Sequence, residues 1–427
     1  MRVGEEYTDT AADVVANARA REIKTVSVLA LGFGLVGIDR FLISTLFPVI
    51  AVDLHLGYGD IGTITGALAV AWGVAALFMG TLSDHIGRRR VLVASLIAFS
   101  LLIGASGLAT ALAGLVLVRV VMGFADGAYT PASIAATIEA SPLAHRGRNI
   151  GFQQMTLTLF GLGLSPLLVT LLLRIIDWRW IFSIFLIPGL LLAWITWRVV
   201  PDAHPTTAGK RDSVGDWLTV LRYSNIRCAM LGMLCWLTCL ITTSALLPNY
   251  LLDHLKLNFA QMGTVMSAIG LGSAAGTLLL PWLSDYVGRR PVMIVSTWGA
   301  GVALLLLASV KGPEVSALFL CVFTVHFFNN SLITLTVGPI CAETVPPTLI
   351  ASASGVVIAV GELFGGGVAP IVAGRVAERF GIDHLLWLPM AAMSAGFIVC
   401  LFLRETRTSS GAELRLRRTR ISGVDQL

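Results

Sequence analysis

The sequence predicts an all-α integral membrane protein whose twelve transmembrane helices form two pseudo-symmetric six-helix bundles. Apolar residues make up 56% of the 427 residues and charged residues 13%, and the mean hydropathy is +0.82. Apolar runs of about 20 residues, long enough to span a bilayer, recur along the chain. The second half of the chain also repeats the first. This composition excludes a soluble globular protein and a disordered one.

The repeat is clearest in two short segments that directly follow apolar runs. Residues 80–90 read Gly-Thr-Leu-Ser-Asp-His-Ile-Gly-Arg-Arg-Arg, and residues 281–291 read Pro-Trp-Leu-Ser-Asp-Tyr-Val-Gly-Arg-Arg-Pro. The same register pairs residues of the first and seventh apolar runs, Ser44 with Ser244 and Pro48 with Pro248. Two long copies made of membrane-length units indicate two homologous bundles, because a solenoid has shorter and more numerous repeats.

Apolar runs between charged or Gly/Pro-marked breaks predict twelve spans. We expect them near residues 25–50, 61–83, 91–113, 115–140, 149–173, 180–200, 227–251, 261–284, 291–310, 315–342, 349–376 and 384–404. The predicted organisation is an N-terminal segment 1–24, a first bundle 25–200, a linker 201–226, a second bundle 227–404 and a basic tail 405–427.

The net charge of +5 predicts membrane orientation and not nucleic-acid binding. The basic residues lie mainly in the tail and in loops that follow even-numbered spans, such as 88–90 and 289–290. By the positive-inside rule we expect both termini in the cytoplasm. The first residues are acidic, unlike a secretory signal, so we expect no cleaved presequence.

We expect no metal and no other cofactor. The six cysteines fall in or beside spans of the second half without metal-ligand spacing. No nucleotide loop or Ser/His/Asp spacing is present, which disfavours a membrane enzyme. A nutrient receptor usually carries a long soluble tail, and the tail here is short and basic.

Four segments together resemble the major facilitator superfamily, and the resemblance covers nearly the whole chain. They are residues 80–90, their echo at 281–291, the pattern Arg119-x3-Gly123-x3-Gly127, and residues 177–182 with the sequence Asp-Trp-Arg-Trp-Ile-Phe. The resemblance implies the two-bundle fold of that superfamily and secondary transport by alternating access.

The resemblance also implies a cytoplasmic gate. Asp84 is expected to face the N-terminus of span 11, and the loop arginines are expected to pair with carboxylates at span ends. The predicted gating residues are Asp84, Arg88, Glu139, Asp285 and Arg289. The alternative is that these arginines serve only as positive-inside anchors.

Within the superfamily, the Asp39-Arg40 pair in span 1 and an acidic residue in span 4, here Asp126, are similar to the organic-anion:proton symporters. This chain has Glu362 where those relatives usually carry Asn. The similarity implies uptake of an organic acid together with protons. Span 5 lacks the Gly-Pro pattern of drug–proton antiporters, which disfavours drug efflux.

Charged residues inside spans are functional candidates because a bilayer disfavours them. Arg119 and Asp126 are seven residues apart, about 20° around a helix, so we expect both to face a central cavity. Asp39 and Arg40 are about 100° apart, so one is expected to face the cavity and the other a neighbouring helix. The alternative is a buried network that only fixes helix packing.

The repeat counterparts of Asp39, Arg40, Arg119 and Asp126 are uncharged, so packing alone does not require the four charges. Burial raises the pKa of a carboxyl group and a neighbouring arginine lowers it, which can poise the group for proton exchange. We therefore predict proton coupling by Asp39 and Asp126. Substrate binding is predicted for Arg40, Arg119, Tyr129, Asn330 and Glu362.

The predicted protein is a monomeric symporter of a bacterial inner membrane, with a small organic anion, protons and the lipid bilayer as its partners. The alternative within transport is a proton-coupled carrier of a neutral, lipid-like or drug substrate, including efflux, with the buried charges serving coupling only.

Overall fold

The computed structural model describes residues 11–142, 145–201, 218–346 and 349–406. Residues 1–10 of the predicted N-terminal segment, 202–217 of the linker and 407–427 of the tail lie outside this part. Within it the chain is helical, without strands, and twelve helices are long and apolar enough to cross a membrane, which confirms the predicted fold class. They are α1 (Ala11–Leu54), α2 (Tyr58–Ile86), α3 (Arg88–Ser106), α4 (Leu112–Ala140), α5 (Arg146–Leu172), α6 (Trp178–Val199), α7 (Ser224–His254), α8 (Phe259–Val287), α9 (Arg289–Ser309), α10 (Val315–Thr344), α11 (Ser352–Phe380) and α12 (Ile382–Phe402).

The backbone conformation at the glycine of the repeated loop motif explains why glycine stands there in both halves. Gly87, between α2 and α3, has φ 102°, and Gly288, between α8 and α9, has φ 111°. This region of φ is open to glycine and strained for residues with a Cβ atom. Each glycine therefore turns the chain sharply from one span into the next in the same place in both halves.

Two spans widen into π-helical turns at repeat-related positions. Leu159–Leu164 in α5 and Gly361–Val368 in α11 are π-helical, and Pro166 and Pro370 follow shortly after. Proline removes a backbone donor and clashes with the preceding turn, so the helix must adjust next to it. The α11 turn holds Glu362.

The two bundles contact each other on the side that carries the loop between α1 and α2, here called the loop 1–2 side. A Cβ atom at Gly270 of α8 would overlap the backbone of Gly163 in α5, so these helices touch through glycine. The Tyr58 hydroxyl donates to the Asp253 carboxylate across the bundles at 2.9 Å.

The opposite side, with the loop between α2 and α3, is called the terminal side. There a Cβ atom at Gly151 of α5 or Gly355 of α11 would meet no described atom within 4 Å. The bundles therefore touch on the loop 1–2 side, whereas Gly151 and Gly355 on the terminal side face open space within the described part of the structure.

Candidate substrate and proton site

An ion pair joins the two bundles near the middle of the spans. Arg40 of α1 donates from Nη1 to Oε1 of Glu362 at 3.1 Å and from Nη2 to Oε2 at 2.7 Å. The two side chains are 9% and 8% exposed. The Arg40 guanidinium also lies 4.5 Å from the ring centroid of Trp72 in α2. A planar guanidinium is thus held by a bidentate carboxylate and an aromatic face.

The glycines of the π-helical turn in α11 make room for this pair. A Cβ atom at Gly366 would lie 2.8 Å from Oε2 of Glu362 and 3.2 Å from Cβ of Ala69 in α2. A larger residue would therefore push the carboxylate or separate the bundles. The sequence marked Glu362 and Arg40 as site residues but did not predict that they pair.

A second cluster lies within the first bundle. Nη1 of Arg119 in α4 donates to the backbone carbonyl of Asp39 at 2.8 Å. Nε and Nη2 of Arg119 and all four carboxylate oxygens of Asp39 and Asp126 are buried without a hydrogen-bond partner among the described residues. The three side chains are at most 1% exposed, and their charges interact. Ionised carboxylates without donors are unfavourable in such surroundings.

In the second bundle, the position equivalent to Asp126 holds a neutral residue that has a hydrogen-bond partner. Asn330 of α10, the repeat counterpart of Asp126, donates from Nδ2 to Oγ1 of Thr277 in α8 at 3.0 Å. The loop-motif register aligns Thr277 with Ala76, which has no hydroxyl group. Asp126 therefore lacks the partner that its counterpart has, so the repeat does not explain Asp126 as a packing residue.

A small cavity lies beside both arginines. It is lined by Arg40, Phe41, Ile43, Ser44, Thr65, Leu68, Arg119, Ile241 and Ser244, and its volume is about 10 Å³. This volume accommodates roughly one water molecule, so a larger molecule can enter only if the bundles move apart here. Asp126 is not among the lining residues, so only Arg119 of the predicted α4 pair faces this cavity.

The sequence paired Ser44 with Ser244 but did not predict that both line this cavity. The two serines are repeat counterparts on α1 and α7, and their presence at matching positions was the available signal. The Ser244 hydroxyl donates to the backbone carbonyl of Ile241 at 3.1 Å and keeps its oxygen lone pairs as acceptors, and the Ser44 hydroxyl can donate or accept.

Tyr129 and Asn330 are not brought to this cavity. The Tyr129 hydroxyl donates to the carbonyl of Leu29 at 3.3 Å, and its ring lies 6.0 Å from Phe99 and 6.3 Å from Phe33. Tyr129 therefore packs inside the first bundle, about three helical turns along α4 from Arg119. Asn330 has its amide engaged with Thr277.

Four of the five predicted gating residues form ion pairs on the terminal side. Arg88 lies 2.5 Å from the Glu139 carboxylate, and Arg289 contacts Glu343 at 2.8 Å and Asp285 at 2.6 Å. These pairs are repeat-related, and each joins helices of one bundle. They fix the loops to their own bundles without bridging the halves, so a gating role stays a prediction. The side chain of Asp84 lies outside the described part of the structure.

Among the described residues, no group of three or more His, Cys, Asp or Glu side chains is arranged to hold a metal ion. The chemistry available at the midplane consists of guanidinium, carboxyl, hydroxyl and aromatic groups.

The fold and this midplane site define a two-bundle membrane transporter. Residues 29–259 and 229–422 match the sequence profile of the Major Facilitator Superfamily, and the chain belongs to this family. It is therefore a transporter and not the membrane enzyme considered as an alternative.

Curated relatives include carriers of organic acids. The chain is 26% identical to the sialic acid transporter NanX of Escherichia coli (strain K12), over 86% of this chain and 91% of the relative. It is 24% identical to the gentisate transporter of Corynebacterium glutamicum, over 88% and 86%. It is 26% identical to the probable 4-methylmuconolactone transporter of Cupriavidus pinatubonensis, over 90% and 91%.

Two solved structures share the fold. A bacterial homologue of the human lysosomal transporter Spinster, in an inward-facing and unoccupied conformation, has a TM-score of 0.69 at 17% identity and covers 90% of this chain and 95% of its own. A point mutant of the nucleoside transporter NupG has a TM-score of 0.70 at 16% identity, with 87% of this chain and 98% of its own covered.

Proposed function

We propose that this protein is a proton-coupled symporter that takes up an organic acid by alternating access. The observation that carries the proposal is the buried cluster of Asp39, Arg119 and Asp126, in which two carboxyl groups and part of a guanidinium lack hydrogen-bond partners among the described residues. The names of the relatives, which include transporters of sialic acid and gentisate, support a carboxylate as the substrate.

The two arginines supply the binding chemistry. Arg40 and Arg119 both line the midplane cavity, and a guanidinium binds a carboxylate through two parallel hydrogen bonds. Nε and Nη2 of Arg119 are available for this purpose. Ser44 and Ser244 then offer hydrogen bonds to hydroxyl or second polar groups of the substrate.

The two aspartates supply the coupling. When Asp39 and Asp126 carry protons, the two arginines leave the site positively charged and the site attracts an anion. When the aspartates lose their protons, they compete with the substrate for the arginines and weaken its binding. Substrate and protons therefore bind and leave together, which is the requirement for symport.

The closed loop 1–2 side corresponds to an inward-facing carrier if the termini are cytoplasmic. The basic loops on the terminal side and the basic sequence of the tail support this orientation and a bacterial inner membrane. The ion pairs of Arg88 and Arg289 on that side then belong to the part of the carrier that opens and closes toward the cytoplasm.

The test begins with thermal unfolding of the purified protein in the presence of four acids for which relatives are named, sialic acid, L-galactonate, gentisate and cis,cis-muconate. Ligands that bind the folded state raise the unfolding temperature. Uptake of the carboxylate that raises the unfolding temperature most is then measured in proteoliposomes under an inward proton gradient. The uncharged amide of the same acid is the control. Accumulation of the acid but not the amide supports the proposal. Accumulation that follows sodium, or equal binding of the amide, contradicts it.

A further inference from the structure

The carboxylate of Glu362 occupies the edge of Arg40 that would bind a carboxylate substrate. Nη1 and Nη2 of Arg40 each donate to a different oxygen of Glu362, and Trp72 covers the guanidinium. A carboxylate that enters the adjoining cavity and uses the same two donors must take the place of Glu362. Glu362 therefore has both the chemistry and the geometry of an internal ligand.

The Arg40–Glu362 pair bridges the two bundles, because Arg40 lies on α1 and Glu362 on α11. The adjoining cavity holds roughly one water molecule. The midplane must widen before an organic acid fits, and widening there pulls the two partners of the ion pair apart. Substrate entry and loss of the Arg40–Glu362 pair are consequently coupled by geometry.

The repeat shows that bundle packing does not require this pair. The counterpart of Arg40 is Leu240, and the counterpart of Glu362 is Thr158. The pseudo-symmetric position therefore has no charge on either side. A pair that exists once, across the interface and beside the cavity, is better explained by the transport cycle than by the architecture.

We propose that Glu362 is an internal competitor of the substrate, which holds Arg40 when the carrier is unloaded and yields it to the substrate carboxylate. The proposal rests on the proposed function above. A buried guanidinium without an anion is strongly unfavourable. The substrate supplies that anion in the loaded carrier, and Glu362 supplies it from the opposite bundle in the unloaded carrier, which can then reorient.

Two consequences distinguish this role from direct contact between Glu362 and the substrate. Removal of an internal competitor tightens binding, whereas removal of a direct contact weakens it. Reorientation of the unloaded carrier is needed for net uptake but not for exchange of internal against external substrate. Loss of Glu362 should therefore impair net uptake while exchange continues.

The experiment compares wild type with Glu362→Gln, using the carboxylate that stabilises the wild-type protein most in the panel above. If Glu362 holds Arg40 about nine tenths of the time, the substitution tightens the apparent Kd about tenfold. Calorimetry measures Kd, and proteoliposomes measure net uptake and counterflow exchange separately. We expect net uptake to fall by about tenfold or more and exchange to persist. Glu314→Gln, which removes an exposed carboxylate on the loop 1–2 side, should change none of these values.

Weaker binding in Glu362→Gln, or an equal loss of net uptake and exchange, would overturn the proposal. If this variant does not fold, Glu362→Asp gives a second test, because a shorter side chain holds Arg40 less well while keeping the charge. Glu362→Asp should bind the carboxylate more tightly than wild type and retain net uptake. Binding no tighter than wild type would contradict the proposed role of Glu362 as a competitor. Failure of the wild-type protein to bind any carboxylate would instead contradict the proposed function.

Discussion

The Arg119 guanidinium donates to the backbone carbonyl of Asp39 at 2.8 Å, while the Asp39 carboxylate itself has no hydrogen-bond donor among the described residues. The arginine is thereby anchored to α1 without neutralising the adjacent acid through a hydrogen bond. This arrangement leaves donors of Arg119 and both oxygens of Asp39 available for groups that enter the site. Substitutions in this cluster and in the contacts between the bundles therefore have distinct expected effects.

Asp126→Asn should abolish proton-driven accumulation while exchange of substrate continues. Asparagine has a similar shape but cannot take up or release a proton at this position. A gradient of one pH unit drives about tenfold accumulation for each proton that accompanies a substrate molecule. Wild-type proteoliposomes should therefore accumulate substrate about tenfold or more, and the variant should stay near equality. Proton-driven accumulation at the wild-type level in Asp126→Asn would remove Asp126 from the coupling mechanism.

Arg119→Lys should weaken carboxylate binding by about 10- to 100-fold. Lysine keeps the charge but cannot form the two parallel hydrogen bonds of a guanidinium, and charged hydrogen bonds contribute about 1.5–3 kcal/mol. Calorimetric Kd values provide the measurement. Arg179→Lys is the matched control, because Arg179 pairs with Asp53 on the half-exposed loop 1–2 surface and not at the midplane. A similar loss in both variants would indicate a general effect of the substitution.

The Arg40–Glu362 pair should show strong coupling in a double-mutant cycle of folding stability. Removal of one partner from a buried pair leaves an uncompensated charge and destabilises by about 3–5 kcal/mol. Arg40→Gln should therefore lower stability markedly, and the double variant with Glu362→Gln should recover most of the loss. Denaturant unfolding in detergent measures the free energy of unfolding of the wild type, the two single variants and the double variant.

The exposed pair of Arg179 and Asp53 provides the comparison for that cycle. Arg179→Gln and Asp53→Asn should show a coupling of about 1 kcal/mol or less, as expected for surface ion pairs. Equal coupling in the two cycles would contradict the buried, bidentate geometry of the midplane pair.

Gly270→Ala should shift the carrier toward a state open on the loop 1–2 side. The added methyl group overlaps the Gly163 backbone in the closed contact, and overpacking of this kind costs about 1–3 kcal/mol. The closed population should fall by about 5- to 150-fold relative to the open one. Double electron–electron resonance measures the distance between spin labels at positions 175 and 259, which should increase when the loop 1–2 side opens.

Gly301→Ala is the matched control, because a Cβ atom at Gly301 meets no described atom within 4 Å. The label distances in this variant should match those of the protein with native glycines. If both alanine variants behave alike, the Gly163–Gly270 contact does not hold the loop 1–2 side closed.

The sequence predicted the surroundings of some site residues correctly and of others incorrectly. Helical spacing predicted that Arg119 and Asp126 share a face of α4, yet only Arg119 lines the midplane cavity. Tyr129 packs within the first bundle and Asn330 binds Thr277. Angular position on one helix indicates a direction, but the neighbour in that direction depends on how the helices are arranged.

Sequence alone determined the twelve spans, the two-bundle repeat and the identity of the buried charges. These follow from local properties, because about 20 apolar residues span a bilayer and both copies of the repeated loop carry the same Gly-Arg-Arg segment. Only the tertiary structure decided that Arg40 binds Glu362 across 322 positions and that Asp39 and Asp126 lack donors among the described residues. Pairing between the bundles depends on the widened turn of α11 and on the glycine contacts that set the distance between the helices. Neither the pairing nor that distance can be read from the spacing of residues along one helix.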